Sequence, residues 1–323
     1  MTHPNQQNTV TYRAVAQIHA APSPHWVGDG FHVNPMFNHM VGDKRTDPFL
    51  MLDYAAPQHF APNTARPRGV GQHPHKGFET VTIAYHGEVA HRDSSGGGGT
   101  IREGDVQWMT AGNGVIHEEF HSPEFSQRGG DFSMVQLWVN LPAKDKAVPA
   151  RYQHLAKADI PVVTLRDATG ATVGRVRVMA GAYHADAQAH TPTAGLAKTF
   201  SPINLWDVSV HAHASVELMI PSTHNLLLLV RAGAVTLNAD STQQAAAHQL
   251  VTFAPETPTT DDAVQTFDRI RLTAGAQGVE LVLMSGEPLN EPIVGYGPFV
   301  MNSAAEIQQA MADFRQGKFG QIA

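Results

Sequence analysis

His73-Pro-His-Lys-Gly-Phe-Glu-Thr-Val-Thr-Ile-Ala-Tyr85 decides how the chain is read. Its second half alternates: Val81, Ile83 and Tyr85 face one way, Thr80, Thr82 and Ala84 the other, the period-two pattern of a strand. Its first half places His73 and His75 two residues apart, and so on one strand face. Similar short strands read at Phe132–Asn140, Thr172–Met179, Asn204–Ala212, Leu226–Val230, Ala234–Leu237, Gln249–Ala254 and Gly278–Met284. Gly, Pro, Asn and Asp punctuate them. Many short strands without alternating helices predict an all-β fold, an antiparallel sandwich or barrel. One helix is expected near the C-terminus. Ser303 and Glu306 form a capping box, Ile307, Met311 and Phe314 follow on one face, and Gly317 ends it.

The chain has 323 residues, enough for two domains at roughly 150 residues each. Leu141–Pro161, with Pro142, Pro149, Pro161 and the charged patch Lys144-Asp-Lys146, reads as the passage between them. The expected division is 1–145, a metal-binding barrel; 146–161, a linker; and 162–323, a second barrel with the helix. The two halves share a rhythm: Gly87-Glu-Val89 closes a strand in one and Gly233-Ala-Val235 in the other, which points to duplication.

Composition excludes several function classes. Lys and Arg number 22 against 29 Asp and Glu, a net charge of -7, which disfavours direct nucleic-acid binding. The longest apolar run, Leu226–Val230, is far short of the ~20 residues that cross a bilayer. The polar start MTHPNQQNTVTYRAV has no apolar signal region, so a cytoplasmic protein is expected. With no cysteine, thiolate catalysis, disulfides and Cys-ligated metals drop out.

Nineteen histidines make about one H-x-H expected by chance. Two occur, His73-Pro-His75 and His211-Ala-His213, each followed by a glutamate, Glu79 or Glu217. Only the first has a companion. His117-Glu-Glu119 follows the turn Ala111-Gly-Asn-Gly114, and strand alternation puts His117 and Glu119 on one face with Glu118 on the other. Three imidazoles and a carboxylate suit a divalent Fe, Mn, Ni, Cu or Zn ion with positions left open. His211 and His213 have no partner strand to complete a ligand set, and His248 sits in a polar turn. His86, His91 and His121 flank the first site as orienting hydrogen-bonding residues. Ser94-Ser-Gly-Gly-Gly-Gly99 lacks the Lys-Ser/Thr of a phosphate loop and reads as a hairpin turn.

These motifs resemble the pirin family of the cupin superfamily. His73–Val81 is similar to its first metal motif, and Gly104-Asp-Val-Gln-Trp-Met-Thr-Ala-Gly112 with Gly114-Val-Ile-His-Glu-Glu119 to its second. Asp47-Pro-Phe-Leu-Met-Leu-Asp53, Gln136-Leu-Trp-Val-Asn-Leu141, Gly286-Glu-Pro-Leu-Asn-Glu-Pro292 and Gly297-Pro-Phe-Val-Met-Asn302 extend the resemblance over about residues 28–316. It implies two cupin barrels packed face to face and one metal in the first, with His73, His75, His117 and Glu119 as ligands. Glu79, where cupins in general carry a carboxylate ligand, stays a competitor to Glu119. It further implies oxygenolytic cleavage of a flavonol such as quercetin with Fe(II) and O2. In such a reaction Glu119 is the candidate acceptor of the 3-hydroxyl proton, and Phe78, Trp108 and Met109 are candidate apolar walls, with core packing the expected place of at least two of them. The alternative implied by the same family is a metal-dependent regulator that docks a protein partner, as a transcriptional co-regulator or a regulator of a metabolic enzyme.

Overall fold

The computed structural model describes residues 12–41, 43–185, 191–255 and 266–322. The fold is all-β, two cupin barrels packed face to face. In the first, a seven-stranded sheet runs in the order Arg151–Leu155, Val106–Thr110, Phe78–His86, Gly130–Asn140, Phe49–Phe60, Phe31–Asn38, His25–Val27. A four-stranded sheet, Gly69–His75, Val115–His121, Val89–Asp93, Gly98–Ile101, forms its other side. The second barrel is a nine-stranded sheet built around two long strands, Asn225–Leu237 and Phe267–Gly286.

Alternation explains the packing. Val81, Ile83, Tyr85, Val135 and Leu137 from the first barrel meet Leu205, Leu227, Leu229, Val282 and Met284 from the second in one buried layer. The intervening residues point inward, to Ala84, Phe132 and Met134 in the first barrel and to Trp206, Val208, Leu228 and Val230 in the second. Leu226–Val230 is a continuous apolar run because its strand is covered on both faces. Burial on this scale is the main force joining the barrels, at about 25 cal/mol per Å² of apolar surface removed from water.

Two strands correct the expected boundaries. Val15–His19, assigned from sequence to the first domain, pairs with Leu250–Phe253 and extends the sheet of the second barrel. Arg151–Leu155, inside the expected linker, pairs with Val106–Thr110 and closes an edge of the first. Each covers what would otherwise be an exposed row of backbone donors and acceptors, a tertiary demand that local composition does not announce. Residues 1–11 of the expected first domain lie outside the described residues.

The helix forms as the capping box requires. Ser303 Oγ accepts from the Glu306 amide, and Ala304–Arg315 follows. Ile307, Met311 and Ala310 pack with Phe299, Phe319 and Ile116. The C-terminal segment thus lies against the strand that carries His117. Gly114 belongs to this contact: its φ is +120°, and a Cβ there would stand 2.3 Å from the Phe319 ring.

Candidate metal centre

The strands Gly69–His75 and Val115–His121 pair antiparallel, with His117 directly opposite His73 and Val115 opposite His75. This register gathers three imidazoles: ring centroids lie 4.9 Å apart for His73 and His75, 4.2 Å for His73 and His117, and 4.7 Å for His75 and His117. Ligand atoms of the three lie within 4.8 Å of one another. The ladder slips between His117 and Glu119, so that Glu119 faces Val70. Gly69 permits the close approach there, since a Cβ would meet the Glu119 carbonyl oxygen at 2.1 Å. Glu118 points to the outer face and accepts from Arg92 Nε at 2.9 Å.

Glu119 belongs to a second group, with His91 and His117, again within 4.8 Å. The two groups share His117 and do not merge into one. Glu119 is held on both oxygens: Gln136 Nε2 donates to Oε2 at 3.1 Å, and Gln107 Nε2 to Oε1 at 3.3 Å. His73 Nδ1 lies 2.8 Å from the Gly71 carbonyl oxygen, which places its proton on Nδ1 and leaves Nε2 bare. Nδ1 of His75 and Nε2 of His117 are buried without a hydrogen-bond partner. Burial, reinforced by the neighbouring imidazoles, pushes the pKa of both His75 and His117 well below the usual value, so both rings are neutral. Neutral, converging imidazoles with bare buried nitrogens fit a divalent metal ion.

Glu79 is placed elsewhere. It is in neither group; Thr110 Oγ1 donates to it at 2.7 Å, and burial pushes its carboxyl up to about 7. The cavity beside the imidazoles also differs from expectation. It has a volume of about 450 Å³ and is walled by Phe31, Val33, Met51, Met134 and Trp138, with His73, His75, Asp53, Glu119 and Gln136 as its polar lining. Trp108 lies in the layer between the barrels and Met109 packs with Ala111 and Val115. Phe78 stacks behind Trp138, at 4.2 Å. All three candidate wall residues are therefore packing residues, as expected for at least two of them, because their strand parity or position carries them away from the opening.

Asp53 was not singled out from the sequence as a site residue. It sits in an apolar strand, and burial pushes its carboxyl up to about 7. Of the flanking histidines, His86 is exposed at the end of its strand. His121 donates to the Gly30 carbonyl at 2.9 Å within a cluster of Phe31, Phe60 and Phe132, and burial lowers its pKa to about 4. His91 lies against His117. His211 and His213 occupy an exposed turn, and Glu217 pairs instead with Arg269 and Arg271.

Two face-to-face cupin barrels, one with a His-rich cluster at the wall of a cavity, define a bicupin with a candidate metal centre. Comparison with known proteins narrows the class. The Pirin family matches residues 30–139, and the Pirin C-terminal cupin domain matches residues 205–320. A Pseudomonas aeruginosa protein provisionally named quercetin 2,3-dioxygenase is 46% identical over 95% of this chain and 98% of its own. The crystal structure of a quercetin 2,3-dioxygenase from Acinetobacter baumannii superposes with a TM-score of 0.85 at 45% identity, covering 97% of this chain and 100% of that one. A bacterial pirin from Escherichia coli in complex with nickel(II) shares the fold, with a TM-score of 0.55 at 17% identity over 84% of this chain and 100% of that one. The chain belongs to the pirin family.

Proposed function

We propose that the first barrel binds one divalent metal ion, Fe(II) by preference, through His73, His75, His117 and Glu119, and that the protein is an oxygenase of the quercetin 2,3-dioxygenase type. The observation that carries this reading is the convergence of the His73, His75 and His117 imidazoles, with Glu119 grouped beside His117, next to a largely apolar cavity of about 450 Å³ lined by His73, His75 and Glu119. The dioxygenase names of two relatives at 45–46% identity support the reaction class. A bound ion supplies Lewis acidity toward a flavonol hydroxyl and carbonyl, together with a centre that engages O2.

The protein's own groups do the rest. Phe31, Met51, Met134 and Trp138 offer flat apolar walls that exclude water from an aromatic ligand. Glu119, tethered by Gln136 on Oε2 and by Gln107 on Oε1, accepts the flavonol 3-hydroxyl proton at a carboxylate oxygen. The Gly71 carbonyl engages His73 Nδ1 and leaves Nε2 as the free ligand nitrogen.

The test is O2 consumption with quercetin by protein reconstituted anaerobically with Fe(II), with His75→Ala as the control. Uptake that requires both the metal and His75 is expected. Uptake that survives in metal-free His75→Ala overturns the reading. No uptake, with one ion bound per chain, turns it toward the metal-dependent regulator with a protein partner.

A further inference from the structure

The metal reading leaves a buried chain of polar groups behind His117 without a role. His91 Nε2 lies 3.1 Å from Asp93 Oδ2, and neither side chain is exposed. The opposite edge of the same ring, His91 Nδ1, lies 3.3 Å from His117 Nδ1 and 3.0 Å from Gln107 Nε2. Tyr152 stacks on the His91 ring at 5.2 Å and 21°, which fixes its plane.

Asp93 is in turn fixed by the turn that begins the glycine-rich stretch. Its Oδ1 accepts from the Ser95 amide at 2.8 Å, the Ser95 hydroxyl at 2.6 Å and the Gly97 amide at 3.0 Å. Gly97 must be glycine for this: a Cβ would stand 2.5 Å from Asp93 Oδ2 and 2.6 Å from the Tyr152 Cβ. Ser94 Oγ accepts from the Ile116 amide at 3.0 Å, next to His117 in the chain. The turn is therefore bound to the metal strand at two levels.

We propose that Asp93 is a positioning residue for the metal centre, acting through His91 to hold His117 in the tautomer that presents Nε2 to the ion. The logic is one of donors and acceptors. A carboxylate with its Oδ1 saturated by three donors needs a proton from His91 Nε2, which leaves His91 Nδ1 as a lone pair. That lone pair faces His117 Nδ1, which must then carry the hydrogen, and the bare nitrogen of His117 is Nε2. Nε2 is the buried His117 atom without a partner. What Asp93 selects is the tautomer. His91 thus belongs beside Glu119 and His117 as their support and not as a ligand. Gln107, spanning His91 Nδ1 and Glu119 Oε1, supports the carboxylate in the same way. Orienting partners of this kind are worth 10–100-fold in metal affinity.

The proposal rests on the metal reading, but its first test does not. In the metal-free wild-type protein, 15N imidazole shifts should report His117 with the proton on Nδ1 and a bare Nε2. The reverse tautomer overturns the proposal without any variant being made. Asp93→Asn keeps an acceptor for the turn but offers Nδ2–H to His91, which reverses both tautomers. Ni(II) titrated into this variant should bind about 10–100-fold more weakly than to wild type, with the His117 shifts exchanged. Unchanged affinity contradicts the proposal. His91→Phe should weaken Ni(II) by a similar factor, with Asp93→Asn adding nothing in that background. A loss as complete as in His75→Ala would make His91 itself a ligand and overturn the positioning role. If wild type takes up no Ni(II) or Fe(II), the proposed function fails, while the tautomer measurement still decides the hydrogen-bond chain.

Discussion

The two barrels bury matching rows of Val, Leu and Ile in one shared layer, yet their interiors are unlike. In the second barrel the inward row is Trp206, Val208, Leu228, Val230, Leu281 and Leu283, which join one apolar core cluster. In the first, inward positions near one end become Thr82, Gln107, Gln136 and Glu119, joined by three clustered imidazoles, of which His73 and His75 line a cavity. The lesson is that the outward row makes the bicupin and the inward row sets apart the barrel that carries the His-rich cluster. A buried polar interior is costly unless every member is paired or ligating, so the hydrogen bonds around Glu119 and His117 are what make the first barrel's interior tenable.

The comparison is broken most sharply at His75. His75→Ala should remove bound metal entirely and abolish quercetin-dependent O2 uptake, read by metal analysis and an oxygen electrode. In the second barrel the same truncation logic acts on stability. Leu228→Ala should cost about 2–5 kcal/mol in denaturant unfolding, while the folded fraction keeps its metal content. Metal loss that tracks that destabilisation would mean the barrels are not functionally separate.

Asp53 should give the first barrel a pH dependence through burial. Its carboxyl is raised from 3.8 to about 7, so between those values the native state holds a proton that the unfolded chain has lost. Metal-free stability should therefore be greatest at low pH on this account, fall as pH rises from about 4 to about 7, and level off above. Asp53→Asn should flatten that part of the unfolding profile; an unchanged slope places the titration elsewhere. Gln136→Leu removes one of the holds on Glu119 and should weaken metal about tenfold with little change in unfolding. Smallest of all, His211→Ala in the exposed turn should leave metal content unchanged and shift stability by less than about 0.5 kcal/mol.

Much of this contrast was legible in the sequence. Period-two alternation marked the strands, and the pairing of His73-Pro-His75 with His117 marked the three-imidazole cluster, while Glu119, expected on the same face, is grouped with His91 and His117 instead. The isolated His211-Ala-His213 was separable by its lack of a companion strand. What was not legible depended on register and on partners far along the chain. Val15–His19 crosses to the second barrel through pairing with Leu250–Phe253, a contact with no local signal. Asp53 is one polar residue in an apolar strand, and only the folded cavity shows it beside His75 and Glu119. Trp108 and Met109 look like cavity walls by proximity in sequence, but the sheet turns them into packed layers. The ladder slip between His117 and Glu119 against Gly69–His75, and the regular pairing on the other side that sets Glu119 opposite His91, are likewise properties of three paired strands.

Anomalous diffraction from crystals loaded with Fe(II) or Ni(II) tests the assignment of chemistry to one barrel most directly. One strong peak per chain, coordinated by His73, His75, His117 and Glu119, with none inside the second barrel, is the expected result. A peak coordinated by His91, or one seated in the second barrel, would contradict it.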